Sequence, residues 1–307
     1  MTNTTRHFSA FRGELTKLFE LSKGKVFYDL TLGDGGHTQE ALEAGCRVIS
    51  IDVDPEAIKR ATSFVTNFKP EIVTEDTAKI SKDFNWIVIN SNFTQISEYV
   101  KKLELPPADA IMVDLGPSQF QVLSPERGFS FLSEESLDMR LTKELGVTAA
   151  DLVNALNEGE LASLFQLGDE PFAKPIARAI VKARQQSRIV TTKQLSDIIL
   201  RVKGFRTGKV HPSTKAFMAL RMAVNLEREV IHELLPQLPS ILNPGGILGI
   251  ISFHSGEDKI VKEFVKEYTV NNLLSAINKK PILPSQEELK ISPRTRSAKL
   301  RLCRKNN

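Results

Sequence analysis

Two features of the chain could do chemistry together: a glycine-rich run and an acid nineteen positions beyond its first glycine. The run is Asp29-Leu30-Thr31-Leu32-Gly33-Asp34-Gly35-Gly36-His37, and the acid is Asp52. Glycines let a backbone turn sharply and approach a ligand that side chains would exclude. A carboxylate at the end of the following strand can accept hydrogen bonds from both ribose hydroxyls of an adenosine. The structural alternative is that Asp52 only helps to cap the helix announced by Asp54-Pro55. A loop and an acid of this kind suit either a nicotinamide dinucleotide or S-adenosylmethionine. The dinucleotide pattern G-x-G-x-x-G needs glycine at position 38, which is Thr38, so the loop with Gly33, Gly35 and Gly36 favours S-adenosylmethionine.

A second acid, Asp114, closes a later apolar run and leads into Leu115-Gly116-Pro117-Ser118. An acidic side chain and turn carbonyls at such a strand end suit transfer to an amine. The lone pair of a nucleobase amine is delocalised into the ring, and acceptors that hold its protons let the nitrogen pyramidalise as it attacks. His254 and Ser255, after the run Ile247–Phe253, are further candidates for lining the same pocket, with structural roles as the alternative.

Charge is segregated. Pro171–Lys215 holds eleven Lys/Arg against the single acid Asp197, and Lys290–Lys305 holds seven and no acid. With a net charge of +4, the rest of the chain is strongly acidic, a distribution that suits a polyanionic partner. Lys174, Arg178 and Lys182, spaced four apart, share one helical face opposite Ala173, Ile176, Ala177 and Ile180. They are candidate RNA contacts, as are Arg296 and Lys299; solvated helix faces are the plainer reading.

The elements that must position these residues are legible in outline. Val26–Leu30, Val48–Asp52, Trp86–Asn90 and Ala110–Asp114 read as strands, with helices Thr38–Ala44, Pro55–Thr66 and Ile96–Leu103 between them, the pattern of a parallel α/β sheet. Asn67–Phe84 has no clear period and is expected to be an extended connection. From 124 to 209 helices replace strands: Thr148–Leu156, Glu158–Leu167, Phe172–Gln186 and Thr192–Val202. This stretch is expected to be an inserted helical domain, with 1–123 and 210–307 forming the core. A long helical stretch from Ser213 to Leu242 should stop at Asn243-Pro244-Gly245-Gly246. Ile247–Phe253 is then a fifth strand, Glu257–Tyr268 a helix and Ala298–Leu302 a last strand. Apolar runs are too short to span a membrane and no signal-peptide core is present, so a cytoplasmic protein without membrane attachment is expected. Cys46 and Cys303 lack the spacing of a disulfide framework or zinc site, and no metal is expected.

Eight motifs, in order, resemble those of the ribosomal RNA small subunit methyltransferase H family. They are Asp114–Ser118, Pro125–Phe131, Leu137–Arg140, Thr148–Leu152, His211–Thr214, Ala219–Arg221, Ile251–Ser255 and Arg296–Arg301. The resemblance spans nearly the whole chain. It implies a class I methyltransferase fold, mainly parallel with an antiparallel terminal strand, carrying an inserted helical domain. It also implies S-adenosylmethionine-dependent N4-methylation of a cytidine in the decoding region of 16S rRNA; the expected partner is small-subunit RNA as the assembled particle, and the expected acting form a monomer or homodimer. Carried over by position, cofactor contacts fall on Gly35, Gly36, His37, Asp52, Phe93, Asp114 and Gln121. This sequence departs from the family at Asp34, usually glycine; at Pro117-Ser118-Gln119, usually Val-Ser-Ser; at Gly256, usually leucine; and in its N-terminal His7–Phe11. Competing readings are an RNA-binding assembly factor without transferase activity, a DNA cytosine-N4 methyltransferase and a nicotinamide oxidoreductase. Thr38 and the late strand disfavour the last. The DNA enzyme is disfavoured because no Pro-Pro-aromatic turn follows Asp114.

Overall fold

The apolar runs assemble into one sheet. A computed structural model describes residues 9–116, 120, 127–131, 134–143, 145–204 and 211–307. The chain divides into two compact units, Met1–Gly116 with Val230–Asn307, and Pro117–Glu229.

In the first unit the strands are β1 (Val26–Asp29), β2 (Arg47–Asp52), β3 (Glu71–Val73), β4 (Trp86–Asn90), β5 (Ala108–Asp114), β6 (Leu242–Ser252), β7 (Leu274–Ala276) and β8 (Lys299–Lys305), in the spatial order β3-β4-β2-β1-β5-β6-β8-β7. Strands β3 to β6 of that order pair in parallel, whereas β8 runs antiparallel to both β6 and β7. Parallel strands are covered on both faces, and the pleat divides their side chains accordingly. Tyr28, Ile49, Ile51, Ile87, Ile89, Ile111, Val113 and Ile250 form one core with helices α4 (Ile96–Lys102) and Ser255–Val270. Phe27, Val48, Trp86, Val88, Ala110 and Met112 form the other with α1 (Leu15–Leu18), α2 (Gly36–Glu43) and α3 (Pro55–Phe64). Asp54 caps α3 by accepting from the Glu56 N–H at 3.1 Å, with Pro55 in the first turn.

Several elements differ from the sequence expectation. The connection after α3 contains the short edge strand β3. The run Ser213–Leu242 is interrupted: α9 (Thr214–Val224) ends at Asn225, Leu226 is left-handed (φ +50°), and α10 (Glu227–Leu234) gives way to a 3-10 turn at Leu235–Gln237 and a short helix Leu238–Ile241, each with proline in its first turn. Proline removes a helical donor and crowds the preceding turn, so the apolar period continues while the helix does not. Asn243–Gly246 lies within β6. The register there jumps from Ala108↔Leu242 to Ala110↔Ile247, so the Pro-Gly-Gly signal marks a bulge.

The second unit has its own core, built from α5 (Ala149–Ala155), α6 (Glu158–Leu167), α7 (Ala173–Arg184), α8 (Thr192–Lys203) and α9. Phe217 and Leu220 of α9 are buried in it, which is why this unit extends beyond residue 209. Thr148 and Asp151 form a reciprocal capping box at α5. No helix among the described residues is long and apolar enough to cross a membrane.

A buried ion pair ties this unit together. Lys203 Nζ lies 2.7 and 2.9 Å from the two Glu170 carboxylate oxygens and 2.7 Å from the Pro212 carbonyl. Glu170 is 3% exposed, so a Lys203→Met variant leaves an uncompensated buried charge. Such losses cost about 3–5 kcal/mol. Urea denaturation should show a loss of that size, and Glu170→Gln/Lys203→Met should recover part of it; a single variant as stable as the parent would remove the pair from the fold's essentials.

Candidate active site

Ends of parallel strands create the site. Strand order reverses direction on either side of β1, and the crevice beyond the carboxyl ends at such a reversal is where open α/β sheets bind ligands. Asp29, Asp52 and Asp114 end β1, β2 and β5 there.

The turn from β1 into α2 is held by its own residues. Gly33 (φ +51°) donates its N–H to Asp52 Oδ2 at 2.8 Å, and the Asp54 N–H reaches Asp52 Oδ1 at 2.9 Å. Gly35 is left-handed (φ +73°), and a Cβ there would come 3.1 Å from Val65 and 3.2 Å from Ala61 of the α3 region, so only glycine lets the loop lie this close to α3. Asp34 is buried and pairs with Arg60 at 3.1 Å. The acid that stands where the family usually has glycine therefore faces α3 and fastens the loop to it.

Beneath the loop runs a directed hydrogen-bond chain. The Trp86 indole N–H donates to Ser50 Oγ (3.1 Å), Ser50 and Thr38 hydroxyls lie 2.8 Å apart, and Thr38 Oγ1 donates to Asp29 Oδ2 at 2.7 Å. An indole can only donate, so the Ser50 proton turns to Thr38 and that of Thr38 to Asp29. Burial raises the pKa of Asp29, and His37, the Thr38 hydroxyl and backbone N–H groups pull it back.

Asp52 and Asp114 carry shifted acids. Burial pushes Asp52 up to about 6, against the pull of the Asp54 and Gly33 N–H groups. Burial likewise pushes Asp114 up to about 7; His37 lowers it, while Asp29 and Glu257 raise it further. Asp114 Oδ1 is buried without a hydrogen-bond partner among the described residues, whereas its backbone N–H donates to Thr31 Oγ1 at 2.7 Å. A buried acceptor left open at a strand end is a place for a donor from a ligand.

The structure brings Gly33, Gly35, Gly36, His37, Asp52 and Asp114 to this strand-end rim. Phe93 lies nearby, in a 3-10 turn after β4, half-buried against the core; Asn90, the last residue of β4, donates to the Asp52 carbonyl at 3.1 Å. Gln121 lies outside the described residues. His254 is the N-cap of the helix Ser255–Val270: its Nδ1 accepts from the Glu257 N–H (3.3 Å), and the Glu257 carboxylate returns to the Phe253 and His254 N–H groups at 2.7 and 3.3 Å. His254 Nε2 stands 3.1 Å from Glu257 Oε1 but is not aligned for a hydrogen bond. Ser255 is exposed in the first turn. Nδ1 of His254 is therefore engaged in capping this helix. Lys174, Arg178 and Lys182 are all exposed along α7 and, with Pro175 and Ala179, line a shallow depression of the second unit. Arg296 is exposed in the first unit, and Lys299 is 3.7 Å from Asp258. Asp29 and Thr31 had no separate role in the sequence; their only signal was an acid and a hydroxyl at the edge of the glycine turn.

The sheet order, with antiparallel β8 between β6 and β7, and the glycine turn facing a carboxylate at the end of β2 define a class I S-adenosylmethionine-dependent methyltransferase. The chain belongs to the MraW methylase family, whose model it matches over residues 4–306. Among curated relatives, it is 38% identical to ribosomal RNA small subunit methyltransferase H of Sulfurihydrogenibium sp. (strain YO3AOP1), covering 97% of this chain and 99% of that one. It is 36% identical to the protein of the same name from Coprothermobacter proteolyticus, covering 99% and 98%. Solved structures it resembles include an rRNA methylase from Streptococcus thermophilus (11% identity, TM-score 0.41, 95% and 92% covered) and the N-methyltransferase NodS from Bradyrhizobium japonicum with S-adenosyl-L-homocysteine (10%, 0.41, 96% and 86%).

The donor set fits the cofactor. Each Asp52 oxygen takes one backbone N–H and keeps further acceptor capacity for a ribose hydroxyl. Asp52→Ala should weaken S-adenosylmethionine by about 1.5–3 kcal/mol, read by calorimetry; unchanged affinity removes Asp52 from the site. Because the Asp52 acid titrates at about 6, affinity should fall as pH drops below 6, where the carboxylate is protonated. The same acid makes a signed contribution to stability. A folded pKa above the unfolded one means the folded state holds its proton longer, so without cofactor the contribution of Asp52 to stability declines from about pH 4 to 6 and then levels.

Proposed function

We propose that this methyltransferase modifies the N4 amine of a cytidine in the decoding region of small-subunit ribosomal RNA, taking the assembled subunit as substrate. The observation that carries the reading is the open, buried Asp114 oxygen beside the glycine turn, an acceptor free to position the methyl donor that the amine must meet. Family membership along nearly the whole chain and the names of the relatives supply the substrate class.

S-adenosylmethionine, when bound, supplies an electrophilic methyl group on a sulfonium. Gly33, Gly35, Gly36 and His37 would hold it by close backbone approach, Asp52 by the ribose and Phe93 by the base, with Gln121, outside the described residues, completing the contacts that the resemblance implies. Asp114 is assigned to cofactor positioning, and the carbonyls of the turn after it would take the protons of the amine. His254 and Ser255 are the remaining side chains we place at the base pocket. Lys174, Arg178 and Lys182, together with Arg296 and Lys299, would meet RNA phosphates, making the helical unit the recognition domain.

Labelled S-adenosylmethionine, incubated with free rRNA or with small subunits lacking the modification and followed by mapping of the label, tests the reaction. Label on a cytidine N4 of the subunit is expected; label elsewhere, or none with cofactor bound, refutes it, the latter favouring an assembly factor. Changing Lys174, Arg178 and Lys182 together to Gln should reduce the salt dependence of RNA binding and spare cofactor affinity.

Asp114→Asn separates the two uses of that carboxylate. In the positioning role it raises the apparent constant for S-adenosylmethionine, and saturating cofactor restores the rate. A single-turnover rate still depressed by about 10²-fold at saturation would instead put Asp114 on the amine.

A further inference from the structure

The N-terminal segment lies against the glycine turn. A Cβ on Gly36 would run into the Ser9 side chain. The next residue, His37, is 4% exposed, and its Nε2 is 2.8 Å from the Ala10 carbonyl oxygen. Farther along, the N–H groups of Gly13 and Thr16 donate to the Glu40 carboxylate of α2 at 2.8 and 3.0 Å. Segment 9–16 is thus fastened to the first, second and fifth residues of α2, the helix that the glycine turn starts.

What sets the segment comes from the far end of the chain. Phe11 is left-handed (φ +58°), an uncommon conformation for an aromatic residue, and its N–H points between the two carboxylate oxygens of Glu288, 3.2 Å from each. Glu288 is 5% exposed. It sits in the short helix Gln286–Ile291, whose N-cap Ser285 accepts the Glu288 N–H at 3.1 Å. The two chain regions are separated by 277 positions. The same buried carboxylate also takes a hydrogen bond from the Thr295 side chain, so it joins the N-terminal segment to the 3-10 turn Pro293–Ser297.

The consequence falls on His37. A carbonyl only accepts, so the ring nitrogen facing Ala10 carries the proton, and in the neutral ring Nδ1 is left as the acceptor. We propose that residues 9–16 clamp the cofactor turn and that Glu288 is a positioning residue for it: by holding the Phe11 N–H it aims the Ala10 carbonyl at Nε2 and fixes the orientation and tautomer of His37. This rests on the assignment of S-adenosylmethionine to the Gly33–His37 turn. Glu288 touches no reacting atom; it acts through Phe11, Ala10 and His37, as an outer partner fixes a functional histidine elsewhere.

Calorimetric titration of the full chain with S-adenosylmethionine reads the clamp. Glu288→Ala, shown to be folded by its melting transition, should bind about 10-fold more weakly, the scale of one hydrogen bond to a charged group. Its turnover at saturating cofactor should stay close to the parent's. Glu288→Gln, whose amide oxygen can still accept from Phe11, should recover most of the affinity. Unchanged affinity in folded Glu288→Ala, or a Gln variant as weak as Ala, overturns the proposal. A second measurement needs no variant: long-range ¹H–¹⁵N correlations of histidine-labelled parent protein should show a proton on His37 Nε2, and a ring bare at Nε2 overturns the clamp. Asp52→Ala is titrated alongside. If it too leaves affinity unchanged, the placement of the cofactor is wrong and the clamp falls with it; if it weakens binding while Glu288→Ala does not, the clamp alone fails.

Discussion

The buried carboxyl of Asp29 is the constraint on which the rest of the site depends. It is fully enclosed at the end of β1, and it ends the chain Trp86–Ser50–Thr38 that crosses β4, β2 and α2. A buried carboxyl is tolerable only when hydrogen-bonded, so the strands and the helix are bound to one geometry by a polar network rather than by apolar packing alone. Thr38 is central. The position at which a dinucleotide-binding turn would have glycine carries the hydroxyl that links Asp29 to Ser50. The same residue that argues against one cofactor thus locks the turn that suits another.

Above this network two acids are shifted by burial. Asp52 and Asp114 are held by burial at about 6 and 7, with Asp29 and Glu257 opposing the ionisation of Asp114. Burial is the first cause for both, and Asp29 opposes the ionisation of each. With the methyl donor placed as proposed, a sulfonium near these carboxylates would favour their ionised forms, and proton release and cofactor binding would support each other.

The parts of this arrangement that are local were legible in the sequence; those that depend on long-range contact were not. Glycine spacing, the acid after the second strand and the Asp54-Pro55 cap are decided within a few residues, and the strands β1, β2, β4 and β5 follow from their apolar runs. Strand β3 has only three residues at a sheet edge, too few to show a period. Pro-Gly-Gly reads as a turn, and the bulge appears only once β5 lies beside β6. The role of Glu288 is hidden for the same reason, since its partner is 277 positions away and no pattern in either segment names the other. Arg60, which fastens Asp34, looks like any surface arginine on α3 until the loop folds over it.

Charge in the helical unit illustrates the limit of counting. Much of the excess of Lys and Arg is used inside the fold. Arg184 donates to the carbonyls of Val153 and Leu156 at the end of α5, 2.8 and 2.6 Å away, Lys203 is consumed by Glu170 and Lys215 reaches the Asp169 carbonyl, whereas Arg188 and Lys193 make only exposed pairs with Asp151 and Asp197. Lys174 and Lys182 have no ion-pair partner among the described residues, and Arg178 between them makes only an exposed contact with Glu158 at 3.3 Å. Exposed pairs of that kind are worth little in water, so Arg178 can exchange Glu158 for a phosphate at small cost. Arg201 of α8 is likewise exposed without an ion-pair partner among the described residues, so what sets the α7 stripe apart is its spacing, Lys174, Arg178 and Lys182 lying four apart on one face.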